Sequence, residues 1–230
     1  GAAVDAAAIY AVGNSQIAKY DRRTGAKVAH FQGDPKRFPH MNSCAVIARD
    51  LVCAGSNYPA VPMRSQVEVF DPSTLAHLRT VPLGRQPGSL TFVDRADGAW
   101  WAGFANYDGR GGEPGRDHRF TTLVRFDDKW RAQATWTFPP AVLARMAPAS
   151  ASGGAFGADG RLYVTGHDRP ELYVLDVPKG GGVLKLVATV DIPVNGQAIA
   201  FDRSAPGVMF GVNRAGREVV GFRLPPMESQ

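Results

Sequence analysis

The chain has 230 residues, 44% of them hydrophobic, with a formal net charge of +5 and a pI near 9.4. That is enough apolar material for one large all-β domain or two ordinary ones, and no run approaches the roughly 18 apolar residues that span a bilayer. The lysines and arginines are scattered rather than clustered, which argues against a nucleic-acid or anionic-membrane surface.

Gly1 opens directly into a first predicted strand, Ala2-Ala3-Val4, as expected either after removal of a leader or where the sequence is cut from a longer chain. A turn at Asp5-Ala6 leads to Ala8–Val12, which ends in Gly13-Asn14; Ile17–Asp21 and Lys27–Phe31 follow. Alternating apolar and polar residues closed by Asp and Gly are the signature of antiparallel hairpins. The same four-part unit recurs. Its second strand reads Leu51-Val52-Cys53-Ala54-Gly55-Ser56-Asn57, Trp100-Trp101-Ala102-Gly103-Phe104-Ala105-Asn106, Leu162-Tyr163-Val164-Thr165-Gly166-His167-Asp168 and Val208-Met209-Phe210-Gly211-Val212-Asn213-Arg214. Asn14, Asn57, Asn106, His167 and Asn213 are separated by 43, 49, 61 and 46 residues. A period of about 40–50 residues marks a β-propeller with one four-stranded blade per repeat. The fold class is therefore all-β, a single five-bladed propeller, with blades at 1–34, 35–84, 85–140, 150–193 and 194–226. Blade five has no predicted outer strand before Pro225-Pro226.

In the second repeat a hairpin turning at Ala48-Arg49 sets Cys44 opposite Cys53. The pair is either a cross-strand disulfide, which suits a periplasmic or secreted protein, or two buried thiols, which leaves the cytoplasm open. The long third interval has two insertions, 109–119 and 139–150. The second starts with proline and carries Val142, Leu143 and Met146 at helical spacing, so a short helix is expected.

Both insertions fall at the blade end where first strands begin and second strands finish. Function tends to sit on the longer loops of a rigid scaffold, so the site is expected on this face, at the channel mouth. The residues converging there include His40, Asn42, Ser43, Ser89, Ser152 and Gln197 from strand starts. From strand ends come Asn14, Asn57, Asn106, Asp108, His167, Asp168, Asn213 and Arg214. Oxygen ligands suit calcium and imidazoles suit zinc, so His40, Asn57, Asn106 and His167 form a candidate set for one divalent metal. The competing reading for each asparagine is a strand-end turn cap. His167, with Asp168 beside it, stands where other repeats carry Asn, and is the candidate general acid/base; His40 is a second base or ligand. His30 and His77 fall on outer strands and His118 in the charged loop, a flexible surface segment or a lid.

The inner strand starts hold no carboxylate pair, which disfavours a glycosidase, and there is no nucleophile elbow or phosphate loop. The segments Ile-Tyr-Ala-Val-Gly-Asn at 9–14, Leu-Tyr-Val-Thr-Gly-His-Asp at 162–168 and Gly-Gln-Ala-Ile-Ala-Phe-Asp at 196–202 resemble blades of the bacterial propeller superfamily. That superfamily includes glutamine-cyclotransferase-like, gluconolactonase-like and virginiamycin B lyase-like proteins. Five blades match the cyclotransferase type. The lactonase type implies oxygen ligands around one divalent metal, roles that Asn57, Asn106 and Asp168 would fill. The expected function is a small-molecule lactonase, cyclase or lyase, acting as a monomer with a small molecule rather than nucleic acid or protein as its partner. The alternative is a non-catalytic propeller binding a peptide, glycan or protein on the same face, with Asn106, Arg110, Arg116 and Arg214 at its centre.

Overall fold

The computed structural model describes residues 1–225, so the expected end of blade five at 226 lies outside the described residues. Blade one is β1 (Ala2–Val4), β2 (Ala8–Val12), β3 (Gln16–Asp21) and β4 (Lys27–Gln32), hydrogen-bonded in that order. Blade two is β5 (His40–Ile47), β6 (Asp50–Ser56), β7 (Ser65–Phe70) and β8 (His77–Gly84). Blade three is β9 (Ser89–Ala96), β10 (Ala99–Ala105), β11 (Thr122–Phe126) and β12 (Ala132–Thr137), with helix α1 (Pro140–Met146) leading out of it. Blade four is β13 (Gly153–Phe156), β14 (Leu162–Thr165), β15 (Glu171–Asp176) and β17 (Lys185–Asp191). Between β15 and β17 a two-residue strand, β16 (Gly182–Val183), leaves its own blade and pairs in parallel with β12, extending blade three to five strands. Blade five has three strands among the described residues, β18 (Ile199–Phe201), β19 (Val208–Asn213) and β20 (Glu218–Arg223).

The innermost strands β1, β5, β9, β13 and β18 each touch the next, and β18 touches β1. The five sheets therefore close into a ring, the propeller that the repeat predicts. Small residues make the crowded axis possible. At Gly154 a Cβ would strike the Phe92 ring, and at Gly153 it would strike the backbone of Ala198 and Ile199. The core is divided between blade interfaces, as a propeller requires. Phe92, Trp101, Trp136, Leu162 and Tyr173 pack between blades three and four; Tyr10, Ile17, Phe38, Leu51 and Phe70 pack between blades one and two.

The hairpin of blade two has the expected register, Cys44 opposite Cys53 and Ile47 opposite Asp50, and the two cysteines form a disulfide. The helix expected from the second insertion is α1, which buries Val142, Leu143 and Met146. No helix among the described residues is long and apolar enough to cross a membrane.

Candidate functional site

The channel mouth opens into a cavity of about 560 Å³ on the face that carries both insertions. Each blade contributes. Asn14 follows β2, and His40, Met41 and Asn42 open β5. Tyr58 and Tyr107 follow the ends of β6 and β10, and Arg110 stands in the loop beyond. Ser152 precedes β13, His167 follows β14, Gln197 precedes β18 and Arg214 follows β19. No carboxylate is among the lining residues.

His167 is the best-oriented of the titratable groups. Its Nδ1 lies 2.6 Å from Asp168 Oδ1, and a guanidinium nitrogen of Arg214 lies 3.5 Å from its Nε2. A carboxylate oxygen accepts and a guanidinium donates, so the arrangement is satisfied when Nδ1 donates to Asp168 and Nε2 accepts from Arg214. Gln197 holds the backbone behind the ring, donating from Nε2 to His167 O at 3.1 Å. Gly196 and Gln197 both take positive φ, 57° and 67°, to bring β18 against this turn. A Cβ at Gly196 would run into the backbone of Gly166 and His167, so only glycine fits.

His40 is half-buried, and its Nδ1 donates to Asn14 Oδ1 at 3.0 Å. Burial, with the nearby amino group of Gly1 adding to it, pushes its pKa down to about 4, so the ring is neutral near pH 7. Its ring lies 5.0 Å from that of Tyr58, which lies 5.0 Å from that of Tyr107. Burial pushes the Tyr107 phenol up to about 12, so it too stays uncharged.

The structure separates the expected site residues into two groups. His40, Asn14, Asn42, His167, Gln197 and Arg214 line the cavity, and Asp168 is bonded to it through His167. Asn57, Asn106, Asp108 and Asn213 do not line it. Asn57 closes its own loop, accepting from Arg64 N and donating to Pro62 O. Asn106 is buried and donates to Pro87 O and Phe120 O. Asn213 caps a turn by accepting from Gly216 N, and Asp108 accepts from His118. These are the roles that short polar side chains play at strand ends. His40 and His167 therefore face the cavity without Asn57 and Asn106, the other two of the four residues matched to a divalent metal. Ser43 and Ser89 also turn inward, to Thr91 O and Ser56 Oγ. His30 meets Gln16, and His77 meets Glu68 on the outer strands of blade two.

The two insertions lean on one another. Asp108 N donates to Pro148 O, and Thr121 and Ser150 share a hydroxyl hydrogen bond. Loop 109–119 is tied across to blade two as well, where Glu113 accepts from Met63 N and meets Arg85. Asp108, Asp117 and His118 present ligand-type atoms within 4.8 Å of one another on this loop, outside the cavity. Asp117 is held by Arg119, whose hydrogen bonds keep its pKa at about 2.

Tyr58 and Tyr107 line the cavity without being among the expected site residues. Each follows the asparagine that ends its second strand, and the recurring Asn-Tyr at 57–58 and 106–107 is the signal that marks them.

The fold and cavity define a small five-bladed propeller with a polar, histidine- and arginine-bearing channel mouth. No protein-family model matches the chain, and no curated protein matches its sequence. Among solved structures it is similar to the glutaminyl cyclase of Myxococcus xanthus, with a TM-score of 0.54 at 14% identity over 82% of this chain and 73% of that one. It is also similar to the hydrazine synthase of Kuenenia stuttgartiensis (TM-score 0.53, 12% identity, 94% and 68% covered). A luciferin-regenerating enzyme matches with a TM-score of 0.50 at 12% identity, covering 88% of this chain and 78% of that one. At such identities these likenesses describe a shared fold.

Proposed function

We propose that the chain is a small-molecule enzyme of the cyclase, lactonase or lyase kind that moves a proton on an anionic substrate at the channel mouth. The observation that carries this reading is His167, with Asp168 on Nδ1 and Arg214 beside Nε2. A base needs its far nitrogen fixed in one tautomer and its near nitrogen within reach of the substrate, so Arg214, which lies 3.5 Å from Nε2, has to swing from that lone pair to the substrate's charge for the base to act. Nε2 of His167 takes the proton, Asp168 steadies the imidazolium that forms, and Arg214 holds the negative charge that develops next to it. His40, neutral and bonded to Asn14, offers hydrogen bonding without competing charge.

The donor set also bears on the expected metal. Calcium and zinc sites are built from carboxylates, carbonyls, thiolates and clustered imidazoles. This lining has two histidines, two arginines and no carboxylate, and fits an anion better than a cation. The reading therefore uses no divalent ion. The disulfide supports a periplasmic or secreted compartment, in which Cys44–Cys53 stays oxidised.

The test is turnover of carboxylated lactones, free glutaminyl dipeptides and elimination-prone acids, with and without chelator. We expect turnover of at least one of these that survives chelation and falls by at least about 100-fold in His167→Ala, with melting unchanged. Undiminished turnover in that variant would remove His167 from the chemistry. If none of them is turned over, the propeller is better read as a non-catalytic binding module.

A further inference from the structure

We infer that the substrate of this cavity is an aryl carboxylate, a flat ring at one end and a carboxylate at the other. The inference deepens the reading above and rests on the cavity being the substrate site. The ring end follows from His40, Tyr58 and Tyr107. Their rings form an unbroken run, with centroids 5.0 Å apart at each step and tilts of 44° and 57°. Neither tyrosine belongs to any of the hydrophobic clusters that hold the blades together, and both are only half-buried, at the edge of the cavity. The fold nonetheless fixes Tyr58 firmly. Asn57 pins its loop by two hydrogen bonds, and Gly111, at φ 82°, lies so close that a Cβ there would strike the Tyr58 ring. Aromatic surface that is held in place and packs no core is surface for a ligand ring.

The carboxylate end follows from the opposite wall. Tyr58 comes from blade two and Arg214 from blade five, which are not neighbours in the ring, and His167 comes from blade four. Among the described residues neither Arg214 nor Arg110 has an ion-pair partner; Arg110 stands in the blade-three loop beside Gly111, which touches Tyr58, so of the two only Arg214 lies away from the aromatic run. An unpaired guanidinium beside a cavity without carboxylates is a fork for a ligand carboxylate. Ring electrostatics fix the orientation. The negative faces of the tyrosines repel an anion, so the charged end goes to Arg214 and the ring end to Tyr58. A cation would prefer those same faces, but the two arginines disfavour it. The volume of about 560 Å³ accommodates a one- or two-ring acid.

Four probes separate the possibilities on the unaltered chain by NMR titration: phenylacetate, phenylacetamide, cyclohexylacetate and benzyltrimethylammonium. Phenylacetate should bind at least about tenfold more tightly than each of the others, since one charge-assisted hydrogen bond or one ring contact is worth about that factor. Arg214→Gln should erase the preference over phenylacetamide, and Tyr58→Leu the preference over cyclohexylacetate. Equal binding of the amide or of the saturated acid, stronger binding of the ammonium, or no binding of phenylacetate overturns the substrate class. The site reading is judged separately. His167-dependent turnover of a non-aromatic acid would leave the acid–base site standing while this class falls. Selective, Arg214-dependent binding of phenylacetate with turnover unaffected by His167→Ala would do the reverse.

Discussion

His40 shows how one side chain couples the site to stability. Its folded pKa of about 4 lies below the ordinary value of 6.5, because burial disfavours the charged ring and the amino group of Gly1 adds to the effect. The unfolded chain therefore takes up a proton that the folded chain refuses. The stabilisation is fully present above pH 6.5 and is lost as the pH falls from there towards 4. Wild-type melting temperature should drop across that window more steeply than that of His40→Gln, which has no titrating ring at this position. Parallel pH profiles for the two proteins would show that His40 is not the group responsible. The same shift keeps His40 uncharged near pH 7. His167 was readable in the sequence because a repeat exposes its exceptions, a histidine where the other repeats carry asparagine, and His40 because it opens an inner strand at the channel mouth. Asn57 and Asn106 sit at equivalent register and were indistinguishable from ligands, since whether an amide faces the channel or its own loop depends on loop backbones that no periodicity describes. Tyr58 and Tyr107 were lost for the same reason, one residue beyond the last regular position.

At the level of elements, strands are legible where one face alternates or a turn residue closes a hairpin. The β5–β6 register followed from the Ala48-Arg49 turn alone, and α1 from three apolar residues at helical spacing. The two-residue β16 was not legible. Gly180, Gly181 and Gly182 all take positive φ, and the chain uses that freedom to cross to blade three, where Leu184 N bonds Thr137 O. Sequence shows the glycines but not their destination. The same register leaves the cysteines' oxidation state open, because facing thiols and a disulfide share one pattern. With the bridge closed over a sequence separation of 9, the stabilisation expected from restricting the unfolded chain is about 2–3 kcal/mol. Replacing both residues, Cys44→Ala with Cys53→Ala, should lower the melting temperature by roughly 5–10 °C. Reductant should lower it in the wild type and leave the double variant unmoved. A wild type that melts at the same temperature as the double variant would mean that the bridge contributes nothing to stability.

At the scale of the whole molecule, the ring closes by contact between blades one and five. Ala2 and Val4 of β1 pack with Ala200 and Phe210 of blade five. Arg22, from the turn after β3, lies over the Phe210 ring and pairs with Asp202, which is fully buried and also accepts from Ser204. Burial alone would raise the Asp202 carboxyl; the Arg22 and Ser204 hydrogen bonds outweigh it and hold the pKa below the ordinary carboxylate value. A second pair, Asp94 and Arg203, joins blades three and five, with Asp94 also accepting from Phe156 N of blade four. There burial wins, and the carboxyl is raised. The two pairs thus respond oppositely to acid. The contribution of Asp202 is present at neutral pH and lost as the pH falls through its lowered pKa. That of Asp94 is greatest when the group is protonated and is lost as the pH rises through its raised pKa. The seam itself is tested by Arg22→Ala, which leaves the Asp202 carboxylate buried without its counter-charge. The expected cost is about 3 kcal/mol, since an orphaned buried charge is far worse than a missing surface pair. Arg79→Ala, which breaks the exposed pair with Asp50, is the control and should cost less than about 1 kcal/mol. Denaturant titration of both variants measures the two costs. Amide exchange in β1 and β18 should accelerate before that in β9 if the ring opens at this seam. Equal costs for the two arginines, or uniform exchange through all five blades, would mean that apolar packing alone closes the propeller.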